Sequence, residues 1–181
     1  KDNYVRKFSV ESRCLGGRIP PRGVVIDESS GSSGSPNNWV RGATERDSVR
    51  RLLQHGFTLT FRGRDLFLLN CFALGPWATG MNVSMSLSDA VILKSIGPDK
   101  AKLEATLKLF GQSYRYAIAG YPPFIKDFVD STSLDLSGFK GGAKRTIVEA
   151  YDPSADAVTF GIDVRSRAPL HIRNNLVDAK L

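Results

Sequence analysis

The chain has 181 residues, enough for one well-buried core and few for two domains. Hydrophobic residues make up 41% and charged residues 24%, which excludes collagen-like, coiled-coil and wholly disordered chains. The net charge of +7 is uneven: residues 1–65 hold ten Arg and two Lys against seven acids, and residues 66–181 hold five Arg and eight Lys against eleven acids.

Arginine presents a planar fork of five donors that grips phosphate or carboxylate at two points, so an Arg-biased front on a basic chain points to an anionic partner. Two cysteines, Cys14 and Cys71, are too few for a disulfide framework and favour a reducing intracellular compartment or a virion over secretion. The longest apolar run, about residues 66–74, is interrupted by Asn70 and falls far short of the roughly 20 residues that span a bilayer. No transmembrane segment is therefore expected. The chain opens on Lys1, which leaves the presence of a leader segment open.

In chain order, residues 4–10 alternate loosely and predict an exposed strand or arm. The Gly- and Pro-rich stretch 16–23 excludes a helix, and Val24-Val25-Ile26 is β-branched and fits a short strand. Residues 29–36, Ser-Ser-Gly-Ser-Ser-Gly-Ser-Pro, have the composition of a flexible linker. These features divide the chain into an extended basic arm with its linker, 1–36, and a single compact domain, 37–181.

A first helix is expected over 44–55, capped by Thr44 with Asp47 completing a capping-box-like pattern, and ended by Gly56. Phe57–Phe61 alternates, Arg62-Gly63-Arg64-Asp65 can turn, and Leu66–Leu74 is almost continuously apolar; together they predict a hairpin with a buried second strand. Residues 81–87 alternate and predict a strand, followed by a short helix over 89–96 and a second over 99–110. Ser113–Ala119 predicts a strand, Tyr121-Pro122-Pro123-Phe124 a rigid aromatic loop, and Ile125–Asp130 one or two helical turns. Lys144–Tyr151 and Ala157–Arg165, joined by a Pro-containing turn, predict a second hairpin. The fold class is α+β, an antiparallel β-rich core of two hairpins with three or four short helices; the alternative is a β-sandwich with helical insertions.

Catalytic signals are weak. The two His and two Cys lie too far apart in sequence for a zinc motif, there is no Gly-x-Ser-x-Gly elbow, and the pairs Asp127/Asp130 and Asp152/Asp156 fit solvated surface. No metal or cofactor is expected. The basic Gly-rich segment 137–146 departs from the Walker spacing but offers Lys140, Lys144 and Arg145 to a phosphate. The helix–Gly-Pro–helix pattern over 88–110 lacks Arg, Asn or Gln to read base edges on its second helix.

The remaining basic residues form a mobile set, Arg13, Arg18 and Arg22, and a preorganised set, Arg46, Arg50, Arg51, Arg62 and Arg64. With Lys140, Lys144 and Arg145, the preorganised set is the candidate surface for RNA, DNA or anionic lipid through non-specific phosphate contacts. Trp77, Tyr121 and Phe124, in apolar Pro-bearing loops, are candidate interface residues.

An Arg-bearing arm, a Ser/Gly linker and a compact body are similar in plan to small basic subunits of viral capsids or matrix layers, a likeness of architecture alone. The leading expectation is a non-enzymatic structural subunit that self-associates as a homo-oligomer and holds an anionic partner. The alternatives are a small-ligand-binding β domain or unfamiliar enzyme, with the strand at 66–74 and Trp77 lining a pocket, and a secreted effector or toxin bearing the sequon Asn82-Val83-Ser84.

Overall fold

A computed structural model describes residues 3–29, 35–61, 65–136 and 139; Thr60 and the strands 146–152, 156–162, 171–173 and 176–178 are described by backbone alone. The fold is α+β, as the sequence indicates, but its central sheet is parallel.

Residues 4–10 form turns rather than a strand. Tyr4 and Phe8 are four residues apart, their rings 5.5 Å between centroids, and the Phe8 N–H donates to the Tyr4 carbonyl. Two 3₁₀ turns follow before β1 (Val25–Glu28), which pairs antiparallel with β2 (Asn38–Arg41) in the register Val25↔Arg41 to Glu28↔Asn38. The Ser/Gly-rich stretch therefore connects two paired strands, and the boundary near residue 37 falls inside a hairpin.

Helix α1 (Ala43–Phe61) begins one residue before Thr44 and runs through Gly56, so the expected strand over 57–61 and its hairpin with 66–74 do not form. Leu53, Phe57 and Phe61 are four apart and pack on one side, whereas Leu59 is 65% exposed. Burial of that stripe outweighs the roughly 0.5–1 kcal/mol that a mid-helix glycine costs. Asp47 is not part of a capping box; it pairs with Arg50 and Arg51.

β3 (Phe67–Asn70) is buried on both faces, as its apolar run predicts. The next two expectations exchange places. Residues 81–87 belong to helix α2 (Ala78–Leu87), which buries Gly80, Val83, Ser86 and Leu87, and residues 92–95 form strand β4 (Ile92–Ser95) rather than a helix. Helix α3 (Lys100–Phe110) and strand β5 (Tyr116–Ala119) form where the sequence places them. Helix α4 (Pro122–Ser131) starts earlier than expected: the aromatic loop Tyr121–Phe124 is its N-terminus, with proline in the first turn where no N–H is missed. β6 (Thr146–Asp152) and β7 (Asp156–Ile162) make the second predicted hairpin, and β8 (His171–Arg173) pairs with β9 (Leu176–Asp178).

β3, β4 and β5 form a parallel sheet in the order β4-β3-β5, connected through α2 and then α3. Alternate residues of β3 serve opposite layers. Leu66 and Leu68 face Phe61, Val83 and Leu87 of α1 and α2, while Phe67, Leu69 and Cys71 face Leu103 and Leu107 of α3 and Ile125 and Phe128 of α4. The sheet is thus covered on both faces.

Candidate functional site at the carboxyl edge of the sheet

In an open α/β sheet, a ligand crevice forms outside the carboxyl ends of the strands, where the chain leaves neighbouring strands in opposite directions. Here β4 lies on one side of β3 and β5 on the other, so that point falls between β3 and β5. The loops after them, residues 71–77 and 120–121, border it.

One buried side chain organises this edge. Asn70, fully enclosed at the end of β3, donates from Nδ2 to the Gly80 carbonyl and to Ser84 Oγ, both at 2.8 Å, and its Oδ1 accepts the Phe72 N–H at 3.2 Å. Ser84 Oγ lies 2.6 Å from Ser95 Oγ, so the ends of β3 and β4 and the first turns of α2 are joined through one polar network. The Asn70 carbonyl accepts from the Ile96 and Gly97 N–H groups. Glycine is required at 80, where a Cβ would lie 2.1 Å from the Ala73 carbonyl oxygen.

The helices that leave this edge differ at their starts. Asp99 caps α3, accepting the Lys102 N–H at 2.9 Å, so its N-terminus is already matched by a carboxylate. α2 and α4, which follow the two strands flanking the crevice, have Trp77 and Tyr121 in the cap position and no side-chain cap bond. Trp77 is half-buried and Tyr121 is 56% exposed.

The β1–β2 hairpin is fastened to the same edge. The Glu28 N–H donates to the Pro76 carbonyl at 2.9 Å, and Glu28 and Trp77 form a parallel bridge. At the other side of the Ser/Gly segment, Asn37 is buried; its N–H donates to Ser29 Oγ and its carbonyl accepts the Ser29 N–H, each at 2.9 Å. Next to Glu28, buried Asp27 is paired with Arg41 from the far end of β2, which also donates to Glu45 at 2.9 Å.

Of the basic residues singled out in the sequence, Arg46, Arg50 and Arg51 share α1. Arg46 Nη2 donates to the Gly23 carbonyl at 3.0 Å, while Arg50 and Arg51 both hold Asp47. Hydrogen bonds from Arg50 and then Arg51 keep the Asp47 carboxyl below its usual range. Arg13, assigned to the mobile set, donates to the Ser9 and Asn38 carbonyls. Arg62, Arg64, Lys140, Lys144 and Arg145 lie outside the described residues. Tyr121 and Trp77 lie at the carboxyl edge; Phe124 is half-buried against the α3/α4 layer.

Asp127 pairs with Lys100 and Asp130 with Lys126, so neither is an isolated carboxylate. Burial pushes the Cys71 thiol up to about 12, which keeps it protonated and a poor nucleophile. The sequon residue Asn82 lies half-buried inside α2. Among the described residues no cluster of His, Cys, Asp or Glu could hold a metal ion, and no helix is long and apolar enough to cross a membrane.

The sequence reading did not single out Asn70, Gly80, Ser84 and Ser95 as site residues. One signal was present: Asn70 is the single polar residue inside an apolar strand, and a buried amide needs partners for both its ends. No protein-family model matches this chain, and no curated protein is significantly similar to it.

Proposed function

We propose that this chain binds a small phosphate-bearing ligand at the carboxyl edge of its parallel sheet, the ligand-binding alternative of the sequence reading transferred to an α/β frame. The observation that carries this reading is the Glu28 N–H···O=C Pro76 bond, which fastens the start of the Ser/Gly segment beside the crevice. Residues 29–36 contain five serines and two glycines. Hydroxyls and unencumbered backbone amides are the donors that surround a phosphate oxyanion. The uncapped start of α2 adds partial positive charge on the same side, while Pro122 and Pro123 leave the first turn of α4 with fewer free N–H groups. On this reading residues 1–36 are part of the ligand-binding unit rather than an independent arm.

Calorimetric titration with a nucleoside triphosphate, pyrophosphate and inorganic phosphate tests the proposal. Saturable binding is expected, weakened at least tenfold by the paired changes Gly31→Val and Gly34→Val with the melting temperature unchanged. Absence of saturable binding by all three ligands would sink it.

The assembly reading keeps one specific support: Leu52 and Leu59 are 71% and 65% exposed on α1, seven residues apart and so on one face. It predicts a salt-sensitive complex with RNA or anionic vesicles and concentration-dependent self-association. Sedimentation at two salt concentrations separates it from the first reading.

A further inference from the structure

A second basic feature lies between α1 and α2, away from the carboxyl edge. A cleft of about 220 Å³ is lined by Ala43, Arg46, Asp47 and Arg50 of α1 and by Asn82, Met85 and Ser86 of α2. Asn82, Met85 and Ser86 are three and four residues apart and share one face of α2, whereas Gly80 and Ser84, which join the carboxyl edge, lie on another.

Two observations concern the donors here. Arg46 Nε is buried and meets no acceptor among the described residues, although Nη2 of the same guanidinium is satisfied by Gly23. A buried charged donor without an acceptor is costly, and its usual explanation is an absent ion or water. Beside it, Arg50 and Arg51 converge on one carboxylate, Asp47. Asp47 therefore engages donors of Arg50 that an external oxyanion in the cleft would otherwise take. The titratable groups at the cleft are Arg46, Asp47 and Arg50, with Arg51 beyond Asp47; α2 contributes no charge, so positive charge exceeds negative.

We propose that the α1/α2 cleft is a second anion site, taking a phosphate group between Arg46 and Arg50 with Asp47 as its built-in competitor. The site is independent of the carboxyl edge. Asn82 supplies an amide that can turn its NH₂ toward the anion. A guanidinium fork grips phosphate at two points, as it does a carboxylate, and phosphate brings the greater charge.

Inorganic phosphate is titrated by calorimetry into the full chain carrying Gly31→Val and Gly34→Val, so that the carboxyl edge does not contribute. Asp47→Asn is expected to tighten phosphate binding at least threefold. Arg46→Gln should weaken it at least tenfold, with Arg46→Lys between Arg46→Gln and the parent, because lysine keeps the charge and loses the fork. Acetate, with a single charge, should displace phosphate only weakly at equal concentration. Equal affinity in the parent, Asp47→Asn and Arg46→Lys chains overturns the site, as does weaker binding in Asp47→Asn. Effective competition by acetate overturns the phosphate assignment. Should Arg46→Gln fail to fold, Asp47→Asn and Arg46→Lys decide the question alone.

Discussion

The parallel sheet and the β1–β2 hairpin are held by different physics. In the sheet, Leu68 and Leu69 are completely enclosed, helices cover both faces, and Asn70 has every polar group matched. Among the hairpin's described residues Asp27 and Asn37 are buried, while Ile26 and Trp39 are 47% and 41% exposed; it rests on its ladder, the ion pairs of Arg41 with Asp27 and Glu45, the Arg13 bond to the Asn38 carbonyl and the bond from Glu28 to Pro76. The sheet is a frame held by area removed from water, and the hairpin is an attachment held by polar contacts.

The largest expected break comes from the frame. Leu68→Ala removes a fully enclosed side chain and should cost about 2–5 kcal/mol in denaturant unfolding. A near-neutral effect would remove the frame from the comparison. Asp27→Ala leaves Arg41 without its buried partner and should cost about 1.5–3 kcal/mol. That loss should be local: amide exchange should quicken across residues 25–41 while protection of β3 and β5 persists. Quickening across both regions would mean that frame and hairpin unfold together.

Asp99→Ala deletes the cap of α3 and should cost about 0.5–2 kcal/mol, read from the melting temperature. Its effect on ligand binding should be negligible, because α3 starts beside the outer strand β4, away from the β3/β5 crevice.

The smallest effect is acid sensitivity at Glu104. Hydrogen bonds from Lys108, then Thr132 and Ser133, bring its carboxyl from 4.5 down to about 2. The folded chain therefore binds this proton less readily than the unfolded one. The stabilisation is fully present above about pH 4.5 and is lost as pH falls toward 2. Glu104→Gln should flatten that part of the stability profile; an unchanged profile would show that Glu104 does not tie α3 to the end of α4.

Much of the frame was legible. The apolar run of β3, the Leu103/Leu107 spacing of α3 and the alternation of β5 each fit one periodicity. The errors share a cause: residues four apart satisfy both period 2 and period 3.6. Phe57 and Phe61, and Val83 and Leu87, are such pairs. Local pattern cannot separate strand from helix there, and burial against the sheet decides for helix, leaving Leu59 and Met85 largely exposed. Strand β4 lies in the run Val91-Ile92-Leu93, which does not alternate and fits helix and strand alike.

The site was less legible because it depends on which ends meet. Trp77 and Tyr121 stand out from sequence as aromatic residues beside glycine and proline. A Ser/Gly run, however, has the same composition as a linker and as a ligand loop. Only the pairing of Val25–Glu28 with Asn38–Arg41, and the bridge from Glu28 to Trp77, bring the residues that enter that run to the loop after β3.

The most direct test of that placement is an amide chemical-shift titration of the full chain with a nucleoside triphosphate. The predicted result is saturable shifts at residues 28–37, 71–80 and 119–122, unaltered in position by a change of salt, in addition to those at the α1/α2 cleft. Shifts on the arginine face of α1 alone, or carboxyl-edge shifts that vanish with moderate salt, would contradict a ligand crevice at the carboxyl edge of the sheet.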